Sequence, residues 1–309
     1  MANHLVTREI TLAHVRGVVF GEEFARQGIT RAIDFLLRSV EVRPTVWMMV
    51  TQGEAREFMQ TRPIQEMVPV EGPIGYHDAV QSRTGTIPAR RLAEVANILQ
   101  EEGIDLVLPL FRRADQPPPK ANGALHPTGE SKEIIFGGAG VFRQGRLVAW
   151  LSPEEVRGLL WTTERLAAAV LTAPCEGAAQ QAVFRIRKSD GRMRVNLEQG
   201  RLQVTIQVRA VADLNELTCE EVIVGGRPGD LENLLAGQVR EEIQEAIAVV
   251  RETRSDFFGF GQELHRRNAL VYNTNARRWE ELLERMSVEV VVDPTVPRTG
   301  QMLERYRGR

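Results

Sequence analysis

The sequence predicts an α+β fold of more than one domain, with mixed and antiparallel sheets each covered by helices. Three observations predict it. The first half alternates helical and extended patterns. Residues 201–211 then alternate cleanly, with Leu202, Val204, Ile206 and Val208 set against Gln203, Thr205, Gln207 and Arg209, the mark of an antiparallel strand with one wet face. Finally, residues 229–254 carry Leu231, Leu234, Leu235, Val239, Ile243, Ala246, Ile247 and Val250 on one helical stripe, the longest helix of the chain. The 309 residues suit two domains of ordinary size.

Taken in order, residues 7–14 read as the end of a helix and 17–20 as a short buried strand. Residues 29–40 place Ile33, Leu36, Leu37 and Val40 on one helical face. Pro44 punctuates, 45–50 is an apolar run of strand length, and 53–60 returns to helix. Pro88 opens a helix whose stripe of Leu92, Val95, Ala96 and Leu99 stops at Gly103. Residues 104–110 form a buried strand. The segment 114–131, with Pro117, Pro118, Pro119 and Pro127, is an exposed loop of polyproline character. Residues 133–142 and 146–151 pair as a hairpin.

Ser152, Pro153, Glu154 and Glu155 form a strong helix start: a cap, proline at the first position, and acids on the positive end of the dipole. The expected domain boundary lies here. Residues 1–151 form an N-terminal α/β-type module, and 152–309 a C-terminal α+β domain. The helix is expected to run towards Leu171 and Pro174. Strands follow at 182–188, 192–197 and 201–211, with turns at 189–191 and near Gly200. After the long helix come a second helix at 275–286, carrying Trp279, Leu282, Leu283 and Met286, and a last strand at 287–292.

The formal net charge of −2 provides no global basic field for nucleic acid. The first residues lack the apolar core of a signal peptide, and no apolar run is long enough to cross a bilayer. Cys175 and Cys219 read as two separate small apolar side chains, with a single disulfide as the alternative. Gly137, Gly138 and Gly140 precede another strand, so they form no phosphate cradle, and Gly225, Gly226 and Gly229 lack a Walker lysine. His4, His14, His77, His126 and His265 show no metal-ligand spacing. The acid pairs Glu154-Glu155, Glu220-Glu221 and Glu241-Glu242 point about 100° apart on a helix and read as solvated faces. No serine sits in a nucleophile elbow. The expectation is a protein without catalytic residues, metal or cofactor.

One segment stands apart. Asp256, Phe257, Phe258, Gly259, Phe260 and Gly261 set three aromatics and two glycines directly after the long helix. Such a run lines a pocket or an interface. Equally, the rings plug the core while the glycines supply a turn. The residues alone leave both readings open.

Several stretches together resemble the GerAC-type spore germination family, the Ger(x)C lipoproteins. They are HVRGVVFGEEFARQGI from His14 to Ile29, DFLLRSVEVR from Asp34 to Arg43, GAGVF from Gly138 with LVAWL from Leu147, and DFFGFG from Asp256 followed by Trp279, Val288 to Val292 and Gly300. The resemblance spans nearly the whole chain, and it adds Trp279 to Asp256, Phe258, Gly259, Phe260 and Gly261 as the candidate binding residues. It implies a peripheral subunit of a nutrient germinant receptor, whose partners are two integral-membrane subunits. It also implies attachment to the outer face of the spore inner membrane through an N-terminal lipidated cysteine. Neither Cys175 nor Cys219 lies in a lipobox, so the expectation is a chain trimmed of its leader and anchor, short of the first strands of its N-terminal sheet, and soluble in this form. A soluble protein that binds the germinant directly, in a pocket between the halves near Phe258 and Phe260, is the alternative.

Overall fold

The computed structural model describes residues 11–61, 70–80, 87–88, 90–114, 133–163, 166, 169–175, 180–219 and 229–298. The proline-rich segment, Glu220-Glu221 and Gly225-Gly226 lie outside them. The first half holds β1 (Gly17–Gly21), α1 (Glu22–Gln27), α2 (Thr30–Arg38), β2 (Trp47–Thr51) and α3 (Ala55–Gln60). It continues with α4 (Glu71–Val80), α5 (Leu92–Gln100), β3 (Leu106–Arg113), β4 (Ile134–Arg143) and β5 (Arg146–Leu151). The strands form one sheet in the order β1-β2-β3-β4-β5, parallel from β1 to β3 and antiparallel from β3 to β5. β2 is buried at every position, which is why it reads as an unbroken apolar run. The β4–β5 hairpin turns at Gln144 and Gly145, both with positive φ (51° and 75°), the two-residue geometry that matches strand twist.

The second half holds α6 (Pro153–Thr163), β6 (Val170–Pro174), β7 (Gln181–Glu198), β8 (Arg201–Leu217) and α7 (Asp230–Thr253). Then come α8 (Phe260–Arg267), α9 (Ala269–Asn275), a 3₁₀ turn (Ala276–Arg278), α10 (Trp279–Glu284) and β9 (Ser287–Arg298). The sheet order is β6-β7-β8-β9, antiparallel except for the parallel β8–β9 pair. Leu202, Val204, Ile206 and Val208 are buried, and Gln203, Gln207 and Arg209 are exposed, so the sheet has the expected wet face. Helices α6 and α7 cover the other. This is an α+β fold.

The cores explain how the halves join. Leu159, Trp161, Val239 and Ile243 pack on Phe184, Ile186, Val204 and Ile206, and the same cluster runs on to Val107, Ala139, Val141 and Leu151 of the first sheet. The opposite face of that sheet packs Met48, Val50 and Leu108 against Ile33, Leu92 and Val95. The two sheets therefore share apolar surface that neither buries alone.

Several expectations are corrected. Of residues 7–14, 7–10 lie outside the described residues and 11–14 hold a turn at 13–14 rather than a helix end. α2 stops at Arg38, which leaves Val40 off the helical face and fully exposed. α6 stops at Thr163, and 170–174 is a strand paired with β7. Residues 189–191 make no turn, because β7 runs straight through them. Ser189 is buried with its Oγ accepting from Leu166 N at 2.8 Å, and a Cβ on Gly191 would sit 2.0 Å from Trp161 O. That glycine serves close approach of the α6 end, not a reversal. Glu242 is fully buried rather than solvated. Cys175 and Cys219 form a disulfide with Cα atoms 5.9 Å apart, joining the end of β6 to the segment after β8.

Candidate functional site

α7 ends at Arg254, whose φ of 54° is left-handed and turns the chain back. Ser255 and Asp256 follow, both buried. The Asp256 carboxylate caps α8: Oδ1 accepts from Phe260 N at 2.8 Å and Oδ2 from Gly261 N at 2.7 Å. Trp279 Nε1 at the start of α10 also donates to Oδ2, at 2.9 Å. One carboxylate thus ties together the ends of three helices. Burial pushes the Asp256 carboxyl up to about 7, against the three N–H donors, and the neighbouring Asp105 adds to the rise.

Asp105 comes from the other half, just ahead of β3. Its Oδ2 accepts from Ser255 Oγ and from Asp256 N, each at 2.8 Å, and its own N–H donates to Asp256 O at 2.9 Å. Gln262 N donates to Gly103 O at 2.8 Å. Gly103 and Gly261 meet without room for a side chain, since a Cβ on Gly103 would lie 2.5 Å from Gly261 C. Gly103 also holds φ at +77°, so both its freedom and its size are used. Burial raises the Asp105 carboxyl too, opposed by the Ser255 and Asp256 donors. On the outer side, Arg143 at the β4–β5 turn donates to Thr253 O at 3.0 Å and pairs with Glu280 at 3.6 Å.

The aromatic run faces inward. Phe257, Phe258 and Phe260 are buried, with the Phe258 and Phe260 rings stacked 5.2 Å apart. Trp279 packs edge-on to Tyr272 at 5.2 Å. Asp256, Phe260, Gly261 and Trp279 therefore come together as a joint between the two halves of this chain, while Gly259 (φ +76°) starts α8. Phe258 and Gly259 also reach the edge of a cleft between the halves. Asp105 was not singled out from the sequence, and only Gly103, the glycine that ends the α5 pattern, marks the spot.

A second joint lies within the C-terminal half. Arg157 Nε donates to both Glu242 oxygens (3.0 and 2.9 Å), Arg157 Nη2 adds a further contact, and Trp161 Nε1 donates at 2.9 Å. The signal for a buried Glu242 was present: it stands three residues after Val239 and four before Ala246, on the apolar stripe itself. Among the described residues no group of His, Cys, Asp and Glu is arranged to hold a metal ion. No helix among them is long and apolar enough to cross a membrane.

The model of the family described as spore germination B3/GerAC-like, C-terminal, matches residues 137–300, and that of the spore germination protein N-terminal domain matches 1–113. This chain belongs to the GerAC-type spore germination family. Among curated relatives it is 24% identical over 305 residues to the putative spore germination protein YfkR of Bacillus subtilis strain 168, covering 96% of this chain and 74% of that protein. It is 20% identical over 310 residues to spore germination protein KC of the same organism, covering 97% of this chain and 75% of the relative. The crystal structure of the GerBC protein superposes with a TM-score of 0.68 at 14% identity, over 94% of this chain and 81% of that one, so the two share a fold. Family membership gives the chain a role in spore germination.

Proposed function

We propose that this GerAC-type protein is the non-enzymatic, peripheral subunit of a nutrient germinant receptor, acting in assembly or signal coupling with two integral-membrane subunits. The observation that carries the reading is the pair of family matches, over residues 1–113 and 137–300. The joint at Asp256 and Asp105 fits the role. It makes the long helix α7 and the first sheet one body, which passes a displacement at one half on to the other. The Cys175–Cys219 disulfide suits an oxidising compartment, and so a position on the outer face of the spore inner membrane, held by a lipid anchor. In this reading 1–151 and 152–309 are the two domains.

The test is genetic. The gene is deleted in its spore-former and restored with a copy carrying a lipidation signal, and nutrient-triggered loss of spore refractility is followed. The expected outcome is loss of at least one nutrient response, recovered by the copy. A blot of the two membrane subunits in the same spores separates assembly, in which they disappear, from coupling, in which they remain. Normal responses to every nutrient, in spores with unchanged membrane subunits and no second receptor of the same specificity, would overturn the reading.

A further inference from the structure

A cleft of about 890 Å³ opens between the two halves beside the aspartate joint. Its size is that of small-molecule sites, about 300–1,000 Å³. The first half contributes Arg90 ahead of α5, Glu101 past its end, and Ile104 and Asp105 at the approach to β3. The second half contributes the α6 end, Arg192 to Arg194 of β7, and the outer turns of α8 as far as Arg267.

Its charge runs against that of the molecule. The chain carries a formal −2, yet five arginines (Arg90, Arg192, Arg194, Arg266, Arg267) line the cleft against three carboxylates (Glu101, Asp105, Glu263). Two of those carboxylates are already engaged. Glu263 pairs with Arg266, and Asp105 accepts from Ser255 and Asp256. Arg192 leans on Asp190 at 3.4 Å. Arg194 and Arg267, on β7 and at the end of α8, both line the cleft and make no ion pair among the described residues. The lining also carries partly exposed apolar side chains, Ile98 and Ile104, together with the polar Thr162, Thr163 and Gln262.

We propose that this cleft binds a small organic carboxylate, its charge held by Arg194 and Arg267 and its apolar body laid on Ile98 and Ile104. Guanidinium groups present paired donors matched to a carboxylate, and partial enclosure in the cleft strengthens that contact relative to open water. A neutral amide of the same shape keeps the apolar contact and loses the ionic one. The bound molecule touches both halves and so braces the joint. The proposal goes beyond the receptor reading, because it is tested on the purified chain whether or not that chain assembles with partners.

The probe pair is phenylpropionate and phenylpropionamide, measured by calorimetry and by the shift in melting temperature. The carboxylate is expected to bind and the amide to bind at least roughly tenfold more weakly. Arg194→Gln together with Arg267→Gln removes the preference for the carboxylate, and Arg26→Gln on the distant surface leaves it intact. Both cleft arginines are exposed, so folding is expected to survive, and unchanged melting of the unliganded variant checks this. If the double variant melts early, the single variants and the loss of wild-type affinity with added salt decide instead. Equal affinity for acid and amide, no binding of phenylpropionate at millimolar concentration, or undiminished binding by folded variants would overturn the proposal. Displacement of the probe by equimolar inorganic phosphate would do so as well, since it would show a site for any anion.

Discussion

At Asp256 a carboxylate sits inside the protein with three N–H donors aimed at it and no cation among its hydrogen-bond partners. Burial outweighs the donors, so the carboxyl titrates near 7 instead of the 3.8 of a free group. Between those values the folded chain binds more protons than the unfolded one. Stability therefore falls as pH rises from about 4 to about 7 and is level above. Asp105 contributes with the same sign. The expected outcome for Asp256→Asn is a lower melting temperature at low pH, because an amide cannot accept from all three donors, together with a flatter pH profile. Melting curves across pH 4 to 8 decide it, and a variant whose slope equals that of wild type would refute the assignment. The residues of this site were legible as a composition, three rings and two glycines after a helix. Their direction was not. The rings turn inward because α8, capped by Asp256, lays its first turn against Gly103 of the other half.

At the scale of elements, α6 and α7 are held by a buried ion pair rather than by apolar contact alone. Glu242 meets Arg157 and Trp161, and Gly158 lets the helices close until a Cβ there would lie 2.1 Å from Glu242 O. Removing one partner strands the other. Glu242→Ala is expected to cost about 3–5 kcal/mol, read as a lower urea midpoint at unchanged slope, whereas Glu242→Met with Arg157→Met costs much less. Equal losses in the two variants would show that packing, not charge, holds the contact. The caps of these elements were readable in the sequence. Ser152 and Glu155 form the reciprocal box that starts α6, with Ser152 N donating to Glu155 at 2.7 Å and Glu155 N donating to Ser152 Oγ at 3.1 Å. The end of α6 was not readable, because Leu166, Ala169 and Leu171 continue an apolar pattern that fits strand and helix alike.

For the whole molecule, two features make one body of two halves: the core shared between the sheets and the aspartate joint. The Cys175–Cys219 disulfide adds a clamp across the outer end of the second sheet, with a sequence separation of 44. By loop-closure entropy it contributes roughly 3–4 kcal/mol. Reduction, or Cys175→Ser with Cys219→Ser, is expected to lower the urea midpoint accordingly while leaving the far-ultraviolet spectrum intact. A midpoint indifferent to reductant would show that the bridge carries no stability.

The sequence by itself determined what depends on near neighbours. Period-two alternation defined β8, the apolar stripe defined α7, and two strand patterns joined by the short Arg143-Gln144-Gly145 turn defined the β4–β5 hairpin. The ordered motifs determined the family. Tertiary structure alone decided the pairings between distant residues. Asp105 meets Asp256 across 151 positions, Arg157 meets Glu242 across 85, and Arg90, Arg194 and Arg267 come to line one cleft. The reason is physical. A helix or strand repeats over a few residues and leaves its period in the sequence, whereas the burial of a carboxylate or the closing of a cleft depends on which surfaces the whole chain brings together.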